Sequence, residues 1–246
     1  MSRPNSLFKY YKVNEYTLGA LRTRSLWLAK PSTFNDPYDC ALTLSEGKYR
    51  ESVLHAITAA INAPDTPQER RDALAKEWPG DREAFEKARQ SILNLFKDAG
   101  ICCFSTNDNH ILMWSHYAHN HTGICVEYDF SPGSGTTILP RQVRYKRDIP
   151  QLSLADFAPS ASSSTFDTLW LTKAPEWEYE NEWRIIMNEG NKNYEAPPII
   201  SVAFGAKTSD TDKFKVIESL GNKSRVLLKD SQLSTEKFEI IVQHLP

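Results

Sequence analysis

Apolar and aromatic positions alternate with polar ones over residues 7–12 (LFKYYK) and again over residues 25–29 (SLWLA), a spacing of two that predicts β-strands. Between them Asn14-Glu15 opens a helical pattern through Leu18, Leu21 and Arg24. The turn formers of residues 31–37 end the second strand. From about Lys48 the period lengthens to that of a helix, broken at Pro64 and Pro67, which predicts a helical insert of three segments over about 48–99. Strand character returns at residues 100–105. The polar stretch Thr106-Asn107-Asp108-Asn109 then caps a helix over 110–121, Gly123 ends it, and 124–130 is a strand. Residues 131–170 are rich in Ser, Pro and Gly and read as loop, broken by the strand-like QVRYKRD. Past Pro175 the alternation resumes in W-E-Y-E-N-E-W-R. The tail adds a strand in PPIISVAFG, a helix from Ser209-Asp210 to Gly221, and strands around VLLKD and FEIIVQHL. This is an α+β chain without internal repeats, read as one domain over residues 1–246.

The segment from Trp177 to Arg184 carries the densest chemistry. Read as a strand, it sorts by parity into Trp177, Tyr179, Trp183 and Ile185 on a core face and Glu178, Glu180, Glu182 and Arg184 on the other. Three carboxylates within about 14 Å of strand repel one another unless solvent, Arg184 or a cationic ligand relieves them. A site that stabilises developing positive charge has this composition. An exposed edge strand with an acidic face is the plainer alternative, and a helix pairing Glu180 with Arg184 is another.

Composition narrows the class. With 40% hydrophobic and 11% aromatic residues the chain has material for a core. Its 29 basic and 31 acidic residues leave a net charge of −2, so no overall field draws it to nucleic acid or membrane. The first residues lack the apolar stretch of a signal peptide and no apolar run is long enough to span a bilayer, which predicts a cytoplasmic protein. Cys40, Cys102, Cys103 and Cys125 are not at zinc-ribbon spacing and read as reduced thiols.

Two more clusters are candidates. His110, His116, His119 and His121 share the helix of residues 110–121. His110 and His121 are about 16 Å apart, too far to share an ion, and His116 and His119 are close enough to share one but have no Cys or carboxylate at ligand spacing, so no metal site is expected. Lys9-Tyr10-Tyr11-Lys12 suits stacking on a base or holding a phosphate, and is equally ordinary for a half-exposed strand.

The motifs Lys9-Tyr10, Phe34-Asn35-Asp36-Pro37, Cys103-Phe104-Ser105 with Met113-Trp114-Ser115-His116-Tyr117, and Trp177 to Arg184 resemble those of a widespread bacterial and phage family of unknown function. Their order also resembles the three-motif layout of the ADP-ribosyltransferase superfamily: a first strand with a basic or aromatic residue, a strand ending in Ser-Thr, and a late strand with Glu-x-Glu. That resemblance implies split mixed and antiparallel β-sheets, NAD consumed as a substrate without a metal, and a toxin or phage-defence effector that modifies nucleic acid or protein. It places NAD binding at Lys9, Tyr10, Ser105 and Tyr117, and catalysis at Glu182, Glu180 and Ser105. The acceptor or a phosphate would meet Asn35, Asp36, His116 or Arg184. Implied partners are NAD, an acceptor macromolecule and an antitoxin or inhibitor protein. Where the superfamily carries Arg or His, this chain has Lys9-Tyr10, and the helical insert separates the motifs.

Two other classes fit the same residues. A non-enzymatic nucleic-acid or protein-binding module would use Lys9, Lys12, Arg144, Lys146, Arg147 and Arg184 as phosphate contacts. A metal-dependent nuclease would use Asp36, Asp39, Glu180 and Glu182 as ligands.

Overall fold

The computed structural model describes residues 3–41, 43–44, 58–59, 61–76, 86–87, 90, 93–94, 96–152, 163–221 and 226–245. The first alternation forms β1 (Ser6–Tyr11) and the second β2 (Ser25–Leu28), with α1 (Glu15–Thr23) between them. Asn14 caps α1 by accepting from the Thr17 amide, and Arg24 ends it at φ 52°. β3 (Thr43–Leu44) and α2 (Gln68–Lys76) follow. Most of the expected helical insert lies outside the described residues, and α2 is its one helix of any length within them. The middle block gives β4 (Gly100–Ser105), α3 (Ile111–Tyr117) and β5 (Ile124–Asp129).

α3 is shorter than the expected 110–121. His119, Asn120 and His121 take left-handed φ values of 49°, 56° and 69°, which no α-helix continues through, and the Gly123 amide closes the end on the Ala118 carbonyl.

The stretch read as loop holds β6 (Arg141–Gln142), β7 (Arg144–Tyr145), β8 (Gln151–Leu152) and an unexpected α4 (Ser163–Trp170). Its Ser-rich composition concealed α4, whose Leu169 is buried. β9 (Thr172–Lys173) leads into the acidic segment, which departs from the expected strand. Pro175–Glu180 is a 3₁₀ helix, Asn181 reverses the chain at φ 45°, and β10 begins at Glu182 (Glu182–Met187). Proline suits the first turn of a helix because it has no N–H to leave unpaired and its φ is already helical. β11 (Lys192–Glu195), β12 (Ile199–Phe204), α5 (Asp210–Leu220), β13 (Leu227–Leu233) and β14 (Ile240–His244) complete the order. Ser209 caps α5 and Gly221 ends it, as the tail pattern predicts.

Among the described residues eight strands form one mixed sheet in the order β14-β13-β12-β5-β1-β4-β10-β6. Its single parallel pair is β12–β13, whose connection includes α5. β11 pairs with β2, β3 with β8 and β7 with β9 in separate two-stranded ladders. Parity along the sheet divides the core in two. Leu7, Phe104, Trp183 and Ile185 join α1 residues Leu18 and Leu21 in one cluster, whereas Tyr10, Trp114, Cys125 and Ala203 form the other with α3. No helix among the described residues is long and apolar enough to cross a membrane. The four cysteines are free, with Cys102 and Cys125 buried.

Candidate functional site

Three neighbouring strands meet at the end of β4. Ser105 is the register partner of Glu182 in β10 and of Phe8 in β1. β1 pairs with β5 at six positions but with β4 at that one, so the ladder between β1 and β4 opens there. The Lys9 ammonium donates to the Cys103 carbonyl at 3.1 Å and lies over the Phe104 ring. A cleft of about 190 Å³ opens at this split. Of the residues singled out from sequence, Lys9, Tyr10, Asn35, Ser105, Tyr117, Glu180 and Glu182 line it. No salt bridge to Lys9 is present among the described residues, and its side chain lines the cleft.

Glu180 and Glu182 come together by a route that strand parity does not describe. Glu180 ends the 3₁₀ helix and Glu182 starts β10, yet Lys173 bridges them: its Nζ lies 2.5 Å from Glu180 Oε2, 3.0 Å from Glu182 Oε2 and 3.5 Å from Asp39 Oδ2. Both glutamates are almost fully buried, at 3% and 2% exposure. Arg184 donates to Glu182 through Nε at 2.6 Å and Nη2 at 2.9 Å, and to Asp39 at 2.8 Å. A fourth bond runs from Nη1 to the Trp170 carbonyl at 2.8 Å. Burial alone would push the Glu182 carboxyl up, but Arg184 and Lys173 hold it down to about 2. For Glu180, burial outweighs the Lys173 ammonium, the Glu182 charge adds to it, and the group sits above the usual carboxylate range. Tyr117 donates to Glu180 Oε1 at 2.5 Å; burial and then that carboxylate push its phenol up, so it remains a donor.

Ser105 is occupied as well. Its hydroxyl donates to the Glu180 carbonyl at 2.6 Å and accepts from the Asn107 amide at 3.1 Å, tying the end of β4 to the end of the 3₁₀ helix. Tyr10 donates to the Asn107 carbonyl and packs edge-on against Trp114. The Tyr145 hydroxyl accepts from the Glu182 amide at 2.8 Å.

Several expectations are corrected. Arg184, expected to meet an acceptor or a phosphate, is 0% exposed and faces inward, where it neutralises carboxylates. Glu178 is exposed, carried away from Glu180 and Glu182 by the 3₁₀ turn. Trp177 and Tyr179 are only half-buried and sit outside the main core, for the same reason. Asp36 does not line the cleft: it accepts from the Tyr38 amide, forming an Asx turn, and from Trp177 Nε1 at 2.7 Å. His116 is exposed on α3, 6.5 Å from the Tyr179 ring, and also lies off the cleft lining. Of Asp36, Asp39, Glu180 and Glu182, the carboxylates a nuclease would use, Asp36 stands apart. The Lys173 ammonium stands among the last three, and no described cluster of His, Cys, Asp and Glu is placed to hold a metal.

Sequence reasoning missed Lys173 altogether and gave Asp39 only a metal role. Thr172-Lys173 is a two-residue strand before Ala174-Pro175, and nothing in its spacing points to residues seven and nine positions on. The available signal was a charge count, since three carboxylates on one site need more than Arg184 to balance them.

No curated protein and no solved structure matches the chain. Residues 113–185 match the family model described as Protein of unknown function (DUF2971), a stretch that contains Tyr117, Lys173, Glu180, Glu182 and Arg184 and excludes Lys9, Asp39 and Ser105.

Proposed function

We propose that the cleft binds the nicotinamide end of NAD and that the protein is a mono-ADP-ribosyltransferase with the split-sheet fold of that superfamily, transferring ADP-ribose to a nucleic acid or protein. The observation that carries this reading is the meeting of Lys9, Ser105 and Glu182 from β1, β4 and β10 where the β1–β4 ladder opens. A cleft of about 190 Å³ accommodates a ring-sized group, so the adenosine end of the dinucleotide would extend over the rim.

Glu182 supplies a fixed negative charge in a site shielded from water, where a carboxylate stabilises an oxocarbenium-like ribose more strongly than it would in solvent. Its oxygens already accept from Arg184 and Lys173, which set their direction, and a remaining lone pair accepts from a ribose hydroxyl. The bond between ribose carbon and nicotinamide nitrogen breaks, and its electron pair leaves with the neutral nicotinamide. The acceptor's nucleophile then bonds to that carbon and gives its proton to Glu180, whose raised affinity for a proton suits a base. Lys9 meets a phosphate of the dinucleotide.

Nicotinamide release from NAD, followed chromatographically with RNA, DNA or protein present in turn, tests the proposal. Release in at least one mixture is expected; none in any of them overturns it.

A further inference from the structure

Glu180 and Glu182 face the same cleft, and two buried carboxylates this close repel unless a cation lies between them. Arg184 serves Glu182 and Asp39 but does not touch Glu180. Lys173 touches all three. Its ammonium is held in place from several sides. The Trp177 ring covers it at 5.0 Å, and its strand is paired to β7 through the Tyr145–Lys173 register. The neighbouring Lys146 amide donates to the Lys173 carbonyl at 2.9 Å. Tyr145 in turn receives the Glu182 amide, so one short ladder fixes both the cation and the backbone of the carboxylate it serves.

We propose that Lys173 is the positioning residue of the cleft: its ammonium, reaching in from β9, locks the Glu180 and Glu182 carboxylates side by side in the orientation that cleavage of the ribose–nicotinamide bond requires. This deepens the reading above and rests on it for the reaction, while the carboxylate lock itself is independent of any ligand. Without Lys173, Glu180 keeps the Tyr117 hydroxyl as its one remaining side-chain donor among the described residues and lies against an ionised Glu182.

The test is a double-mutant cycle on the full chain with Lys173→Met, Glu180→Gln and the pair, read by thermal unfolding and by nicotinamide release. Lys173→Met lowers Tm by about 10 °C, because it leaves buried charges uncompensated. Adding Glu180→Gln removes one of those charges and recovers more than half of the loss. In turnover, Lys173→Met lowers kcat about 100-fold with KM for NAD nearly unchanged, the signature of an interaction made in the transition state. Strictly additive Tm losses, or a kcat equal to wild type, would overturn the proposal. If the wild-type protein releases no nicotinamide, the NAD reading fails, and the Tm cycle decides whether Lys173 is the lock.

Discussion

Ser105 and Glu182 face each other directly across the β4–β10 ladder, and the Ser105 hydroxyl donates at 2.6 Å to the carbonyl of Glu180, two residues before its ladder partner. One serine therefore fixes both ends of the Glu180-Asn181-Glu182 reversal, in which Asn181 sits at φ 45°. Replacing it by alanine leaves the buried Glu180 carbonyl without that donor. Ser105→Ala should cost about 1–3 kcal/mol in urea unfolding. It should also lower kcat for nicotinamide release, since Glu180 is no longer held against Tyr117 and Lys173.

Arg184 is the most deeply buried charge of the site, joining Glu182, Asp39 and the Trp170 carbonyl. Removing one partner from such a set leaves carboxylates without compensation, at about 3–5 kcal/mol. Arg184→Met should therefore lose that much stability. Arg184→Lys should recover only part of it, because an ammonium cannot reproduce the forked contacts. Equilibrium unfolding of both variants checks the order.

The two glutamates should give pH dependences of opposite sign. Glu182 is held at about 2 against an unfolded value near 4.5, so its contribution, about 3 kcal/mol, is present above pH 4.5 and lost as pH falls toward 2. Glu180 is raised, so its contribution is present below 4.5 and is lost as pH rises through its folded value. Unfolding free energies measured from acid to neutral pH should therefore show a shallower acid limb in Glu182→Gln and a smaller neutral-side decline in Glu180→Gln.

Gly123 closes the turn after α3, the helix that carries the cleft residue Tyr117. A Cβ there would collide with the Tyr11 carbonyl oxygen and crowd the Ala118 carbonyl, both backbone atoms with no freedom to withdraw. Gly123→Ala should destabilise by about 3 kcal/mol. The turn after α3 should loosen, seen as faster amide exchange at Thr122 and Gly123.

Legibility in the sequence followed the range of the interactions. β1, α1, β4, β5 and α5 carry their own caps and alternation, so local pattern identified them. The acidic segment misled because W-E-Y-E-N-E-W-R alternates like a strand, while Pro175 and the left-handed Asn181 impose a helical turn on its first half. The meeting of Lys9, Ser105 and Glu182 was expected from motif order. Lys173 was not, because its pairing with residues beyond a turn depends on how β9 is anchored to β7. α4 lay hidden in a Ser-rich stretch whose composition outweighed its periodicity.

The central claim is that Glu182 stabilises ribose charge during cleavage of NAD, and the rate of nicotinamide release by Glu182→Gln against wild type measures it most directly. The account predicts a loss of about 100-fold or more in kcat, with the variant still folded by circular dichroism. Equal rates in the folded variant and the wild type would contradict it.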